Sequence, residues 1–104
     1  MADEYDKLVR DDIPEIIEAN GERPVVHHVE GEEYTQRLLD KLDEEVGEYR
    51  SDQTVEELAD VLEVVHALCE THGVDWSELQ HQREQKADRR GHFKNGVMLE
   101  RVER

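Results

Sequence analysis

The sequence predicts an all-α helical bundle: two long antiparallel helices, shorter helices around them, minor extended segments, and completion by oligomerisation. Three observations point there. Apolar residues recur at helical spacing from about Glu32 to Arg50, and again from Thr54 to Gly73. Only the polar turn Ser51-Asp52-Gln53 separates the two stretches, so they must fold back on each other. The second stretch is apolar over roughly half its circumference, more than one neighbouring helix covers. With 104 residues there is room for a single domain, 1–104, and one small core.

Each element has its own punctuation. Pro14 suits the first turn of a short helix, Ile13 to Ala19, which Asn20-Gly21 stops. Arg23 to Val29 (Arg-Pro-Val-Val-His-His-Val) is extended or a short strand, bounded by Gly31. The first long helix follows. Thr54, with Glu57 three residues on, is a capping box that opens the second, and Gly73 ends it. Asp75 or Ser77 caps a third that reaches about Arg90 before Gly91. The segment from Phe93 to Val102 reads as a loop with a short strand.

The charge balance narrows the partners. Lys and Arg number 13 against 28 Asp and Glu, a formal charge of −15. Charged residues make up 39% of the chain and hydrophobic ones 36%, near the limit at which folding fails, and the helical periodicity is what argues against disorder. Such a surface repels phosphate backbones and anionic lipid, so neither nucleic acid nor a membrane is an expected partner. Arg outnumbers Lys nine to four and the acids are spread along the whole chain, as on a halophile's surface. At molar salt the Debye length falls to about 3 Å and screens the self-repulsion. A lone cysteine, Cys69, permits no intrachain disulfide; with neither a signal peptide nor a transmembrane run in the sequence, a cytoplasmic location is expected.

At 100° per residue, two carboxylates fall where apolar residues belong. On the second long helix Val55, Leu58, Val61, Leu62, Val64, Val65, Leu68 and Cys69 form the apolar arc, and Glu57 lies inside it, between Val64 and Leu68. Asp60 sits at its border, about 60° from Glu57. On the first, Tyr34, Leu38, Leu39, Leu42, Val46 and Tyr49 form the arc; Glu45 falls inside it and Glu48 lies about 60° away. In an antiparallel hairpin Glu48 should lie level with Glu57, and Glu45 with Asp60. Four carboxylates in a low-dielectric groove cannot all stay ionised without compensation. Oxygen ligands with no His or Cys among them point to a hard cation, Mg²⁺ or Mn²⁺. Glu44 points further out, as a supporting group.

Glu44-Glu45-x-x-Glu48 followed by Glu57-x-x-Asp60 resembles the signature of the MazG-like all-α nucleoside triphosphate pyrophosphohydrolases, related to phosphoribosyl-ATP pyrophosphohydrolase and dimeric dUTPase. The opening Tyr5-Asp6-Lys7-Leu8-Val9-Arg10-Asp11-Asp12-Ile13-Pro14-Glu15-Ile16-Ile17 and the closing Lys86-x-x-x-Arg90-Gly91-x-Phe93 are similar to a compact house-cleaning subgroup. Two departures stand out: the gap between the acidic motifs is short, and Asp12 occupies a place where a base is expected. The resemblance implies cleavage of a nucleoside triphosphate between its α- and β-phosphates, giving a monophosphate and pyrophosphate. It also implies Mg²⁺ on Glu45, Glu48, Glu57 and Asp60, with Glu48 or Glu45 as catalytic base. Lys7, Arg10, Lys86, Arg90 and Lys94 are then the expected phosphate-binding cations.

The remaining conspicuous residues have plainer readings. The six histidines lack metal-ligand spacing, Cys69 is a small core residue, and Trp76 anchors the third long helix. Two rivals remain: hydrolysis of phosphoribosyl-ATP in histidine synthesis, and a non-catalytic helical oligomerisation or regulatory module whose acids serve only salt tolerance. The second rival requires Glu57 to be no more buried than Glu56. A homodimer or homotetramer is expected on the enzymatic view.

Overall fold

A computed structural model describes residues 3–104 and contains four helices and no strand among them. They are α1 (Ile13–Ala19), α2 (Gly31–Asp52), α3 (Val55–Thr71) and α4 (Trp76–Arg90). The helical expectation holds throughout, with α2 running a turn-half longer than its apolar pattern at the C-terminal end. Gln53 stops it by adopting the left-handed conformation (φ 52°, ψ 42°) and donating its N–H to the Tyr49 carbonyl at 2.7 Å. Thr54 is the N-cap of α3, its hydroxyl accepting the Glu57 N–H at 3.2 Å. Of the two residues that could cap α4, Asp75 does so, accepting the Glu78 N–H at 2.9 Å and the Ser77 hydroxyl at 2.7 Å. These bonds hold its carboxyl below the usual range, the Ser77 contact most of all.

Both strand expectations are corrected. Among the described residues Arg23–Val29 has no regular structure and no backbone pairing, and beyond Gly96 no ladder forms either. A strand exists only by hydrogen bonding to a neighbour, and within one chain neither segment lies beside a suitable edge. Their apolar residues stay in water: Val25, Val97, Met98 and Leu99 are largely exposed, and Phe93 wholly so.

The core is an α2–α3 hairpin. A connection of two residues forces the helices antiparallel, and they make most of the tertiary contact; α4 touches α3 alone, and α1 packs on no other helix. Among the described residues, Leu38, Val64 and Cys69 are the buried hydrophobics. His66 stacks on Trp76 at 3.8 Å between ring centroids, which fastens the start of α4 to α3. The result is long and open, 63 × 31 × 24 Å with a radius of gyration of 18.4 Å, where a compact chain of this length has about 13 Å.

The hairpin has two unlike flanks. In antiparallel helices the same sense of rotation from the line of contact leads to the same side of the pair. Leu39 and Val46 on α2, and Leu58 and Leu62 on α3, are rotated one way and form an exposed apolar side. Lys41, Glu44 and Asp60 are rotated the other way, so the charged groups gather on the opposite flank.

Candidate metal centre

Three of the four expected acids converge. Glu45 from α2 and Glu57 and Asp60 from α3 each offer a carboxylate oxygen, and these oxygens lie within 4.8 Å of one another. Their placement follows from register: Glu45 points along the helix contact, and Glu57, in the first turn of α3, is fixed by the Thr54 cap that holds its own N–H. Glu45 is 7% exposed, the single buried charged residue among those described. Its Oε2 and that of Glu57 are both buried without a hydrogen-bond partner. Glu56, one residue from Glu57, faces solvent, so the burial belongs to the position and not to the helix end.

Glu48 lies outside this trio and is exposed. It is rotated about 60° from Glu45 around α2 and stands near the bend, where the groove opens to water. Its charge still reaches the site. Burial pushes the Glu57 carboxyl up from its ordinary value, and the nearby charges of Glu48, Asp60, Asp52 and Glu45, in that order, push it further.

Bases arrive from the N-terminal arm. Arg10 donates to Asp60 Oδ1 at 2.8 Å and approaches Glu63 at 3.8 Å, and Lys7 donates to Glu44 Oε1 at 3.0 Å. Asp6 ties the same arm to α2 through Arg37 at 3.2 Å. Of the five expected phosphate-binding cations the structure thus brings Lys7 and Arg10 to the acids. Lys86 and Arg90, on α4, and Lys94, beyond it, form no ion pair among the described residues.

One basic residue escaped the sequence reading. Lys41 reaches Glu44 Oε2 at 3.0 Å and Glu45 Oε1 at 3.2 Å, with its side chain only 17% exposed. The signal was present as Lys41-x-x-Glu44-Glu45, the i,i+3 and i,i+4 spacing that places a base over two acids on one helix face. Burial alone would lower the Lys41 ammonium, but its hydrogen bonds to Glu44 and Glu45 outweigh that and raise it above the usual lysine range. Burial likewise acts to raise Glu44, and the bonds from Lys7 and Lys41 reverse the direction and hold it low.

The donor set is all oxygen, with two inward carboxylate oxygens lacking any partner, which suits a hard divalent cation. A hollow at the far end of the hairpin, lined by Gly31, Tyr34, Thr35, Glu70 and Thr71, gathers no comparable set of groups.

No family model matches the chain, and no solved structure does. The chain is similar to an uncharacterised protein of Mycolicibacterium smegmatis, 50% identical over 48 residues. That alignment covers 46% of this chain and 49% of the mycobacterial protein, about half the length of each.

Proposed function

We propose that the chain is a Mg²⁺- or Mn²⁺-dependent nucleoside triphosphate pyrophosphohydrolase of the MazG-like class, acting on non-canonical nucleotides in a salt-rich cytoplasm. One observation carries it: Glu45, Glu57 and Asp60 meet in a groove where two buried carboxylate oxygens have no partner. Leaving such oxygens bare is costly, and a cation is the simplest group that satisfies them. The same feature disfavours an acidic module built for salt tolerance, which has no reason to half-bury Glu57 and expose Glu56.

The reaction adds water across the α–β phosphoanhydride: a new P–O bond forms, the bridging P–O bond breaks, and the products are a monophosphate and pyrophosphate. Glu45, Glu57 and Asp60 would hold the divalent ion, which would supply charge neutralisation of the phosphate oxygens and a water of lowered pKa. Glu48, exposed beyond the trio and near enough for its charge to raise Glu57, would serve as the proton acceptor for the attacking water. Arg10 and Lys7 stand next to the groove on half-exposed side chains, free to exchange a carboxylate for a phosphate oxygen.

The chain acts as a homo-oligomer. Its accessible surface is 9658 Å², whereas a compact monomer of this mass exposes about 6,100 Å².

The test is release of pyrophosphate and monophosphate from canonical, deoxy and oxidised triphosphates and from phosphoribosyl-ATP, in molar KCl with and without Mg²⁺. Glu57→Gln and Asp60→Asn should lower turnover by orders of magnitude while Glu56→Gln stays near wild type. Absence of cleavage of every substrate, or equal losses in all three variants, would overturn the assignment.

A further inference from the structure

The acid cluster is not free to arrange itself. Glu45 has two oxygens with different fates: Oε1 is held by Lys41 at 3.2 Å, and Oε2 is buried and unpartnered. Lys41 is held in turn, because its ammonium also donates to Glu44 Oε2 at 3.0 Å, and Glu44 Oε1 is bound by Lys7 at 3.0 Å. A chain of ion pairs therefore runs from the N-terminal arm through Glu44 and Lys41 to Glu45. The side chains of Lys41 and Glu45, the last two members, are 17% and 9% exposed, so their geometry is protected from water.

We propose that Lys41 is a positioning residue: it pins one oxygen of Glu45 so that the other is presented to Glu57 and Asp60 as a ready cation ligand. The proposal rests on the metal-dependent function above and adds the group that organises its buried ligand. An exposed i,i+4 ion pair on a helix contributes little and would leave the site indifferent to its loss. This pair is different in kind, because it is buried and ends on a ligand. Outer partners of ligating carboxylates are set to fix ligand orientation, and their removal costs about 10–100-fold in metal affinity.

The sign of the effect separates positioning from simple charge. Lys41 is a cation beside a cation site, so by Coulomb's law alone its removal strengthens metal binding. If it positions Glu45, its removal weakens binding instead. The experiment measures Mn²⁺ affinity by electron paramagnetic resonance and calorimetry at fixed ionic strength, with no nucleotide present. It compares wild type, Lys41→Met, Lys41→Gln and Lys41→Arg, each checked for helix content.

Lys41→Met keeps the apolar stem and should weaken Mn²⁺ binding by about 10–100-fold. Lys41→Gln, equally uncharged but still a hydrogen-bond donor, should fall less, and Lys41→Arg should recover most of the affinity. Tighter or unchanged binding in both uncharged variants would overturn the role of Lys41 while leaving the metal site standing. Should Lys41→Met fail to fold, the Gln and Arg variants decide: equal affinity in all folded proteins rejects positioning. Failure of the wild type to bind Mn²⁺ at millimolar concentration would remove the metal site itself, and this proposal with it.

Discussion

Replacing Leu58 and Leu62 together by Ala should dissociate the protein into monomers without unfolding α3. The two side chains are 47% and 46% exposed and sit one turn apart on the apolar side of the hairpin, away from the acids. The chain's 9658 Å² of surface exceeds that of a compact monomer by about 3,500 Å². An obligate dimer buries about 1,000–2,500 Å² on each copy, so a self-association of this size, or a larger assembly, is within reach. Burying a whole leucine side chain is worth about 1.5–3 kcal/mol, so covering the exposed half of each is worth about 1 kcal/mol. In a two-fold interface every residue occurs twice, so the double substitution costs association about 4 kcal/mol, close to a 1,000-fold rise in Kd. Sedimentation equilibrium in molar KCl should show a dimer or tetramer for the wild type and a shift to the monomer for the variant at micromolar concentration. A folded wild type that sediments as a 12.2 kDa particle at every concentration would refute the reasoning.

Two more outcomes follow from the site's electrostatics and its cap. Because the folded Glu57 carboxyl is raised above its ordinary value, the metal-free folded state binds this proton more tightly than the unfolded chain does. Stability therefore falls as pH rises through the folded value, and Glu57→Gln should gain in Tm over the wild type as pH rises above the ordinary carboxylate range; identical pH profiles would rule this out. Thr54→Ala removes the acceptor for the Glu57 N–H and should cost about 1 kcal/mol. That corresponds to about 4–8 °C in Tm, along with weaker Mn²⁺ binding because Glu57 is no longer anchored; thermal melts read the first and calorimetry the second.

The helices were legible because each has a local cause. Pro14 starts α1, Thr54 and Asp75 carry acceptors for α3 and α4, and the wheel positions of Leu38 and Val64 put them on the hairpin contact, where they are buried. Local signals fail where the cause is a neighbour. Val25, Val26, Val97 and Leu99 look like strand residues by composition, yet a strand depends on a partner's backbone and none lies beside them. The same residues explain why the chain is so open: apolar side chains that suit a sheet or an interface remain in water at the single-chain level.

For the acids, angular position on the helix was the useful coordinate and axial level was the weaker one. Glu45 and Glu57 were singled out because they interrupt apolar arcs, and both have a buried, bare oxygen. Rise alone sets Glu48 level with Glu57, but its direction around α2 takes it out of the trio. Compensating charge was harder still to foresee. With 28 acids and 13 bases, spacing rules offer many pairs of little consequence, and only burial separates Lys41, held between Glu44 and Glu45, from an exposed contact such as Arg101 with Glu103. Four positive groups lie on this flank, Lys7, Arg10, Arg37 and Lys41, and none of them donates to Glu57. Glu57 is thus the acid whose charge no basic side chain meets, which is why its substitution should raise the stability of the metal-free protein while abolishing the proposed site.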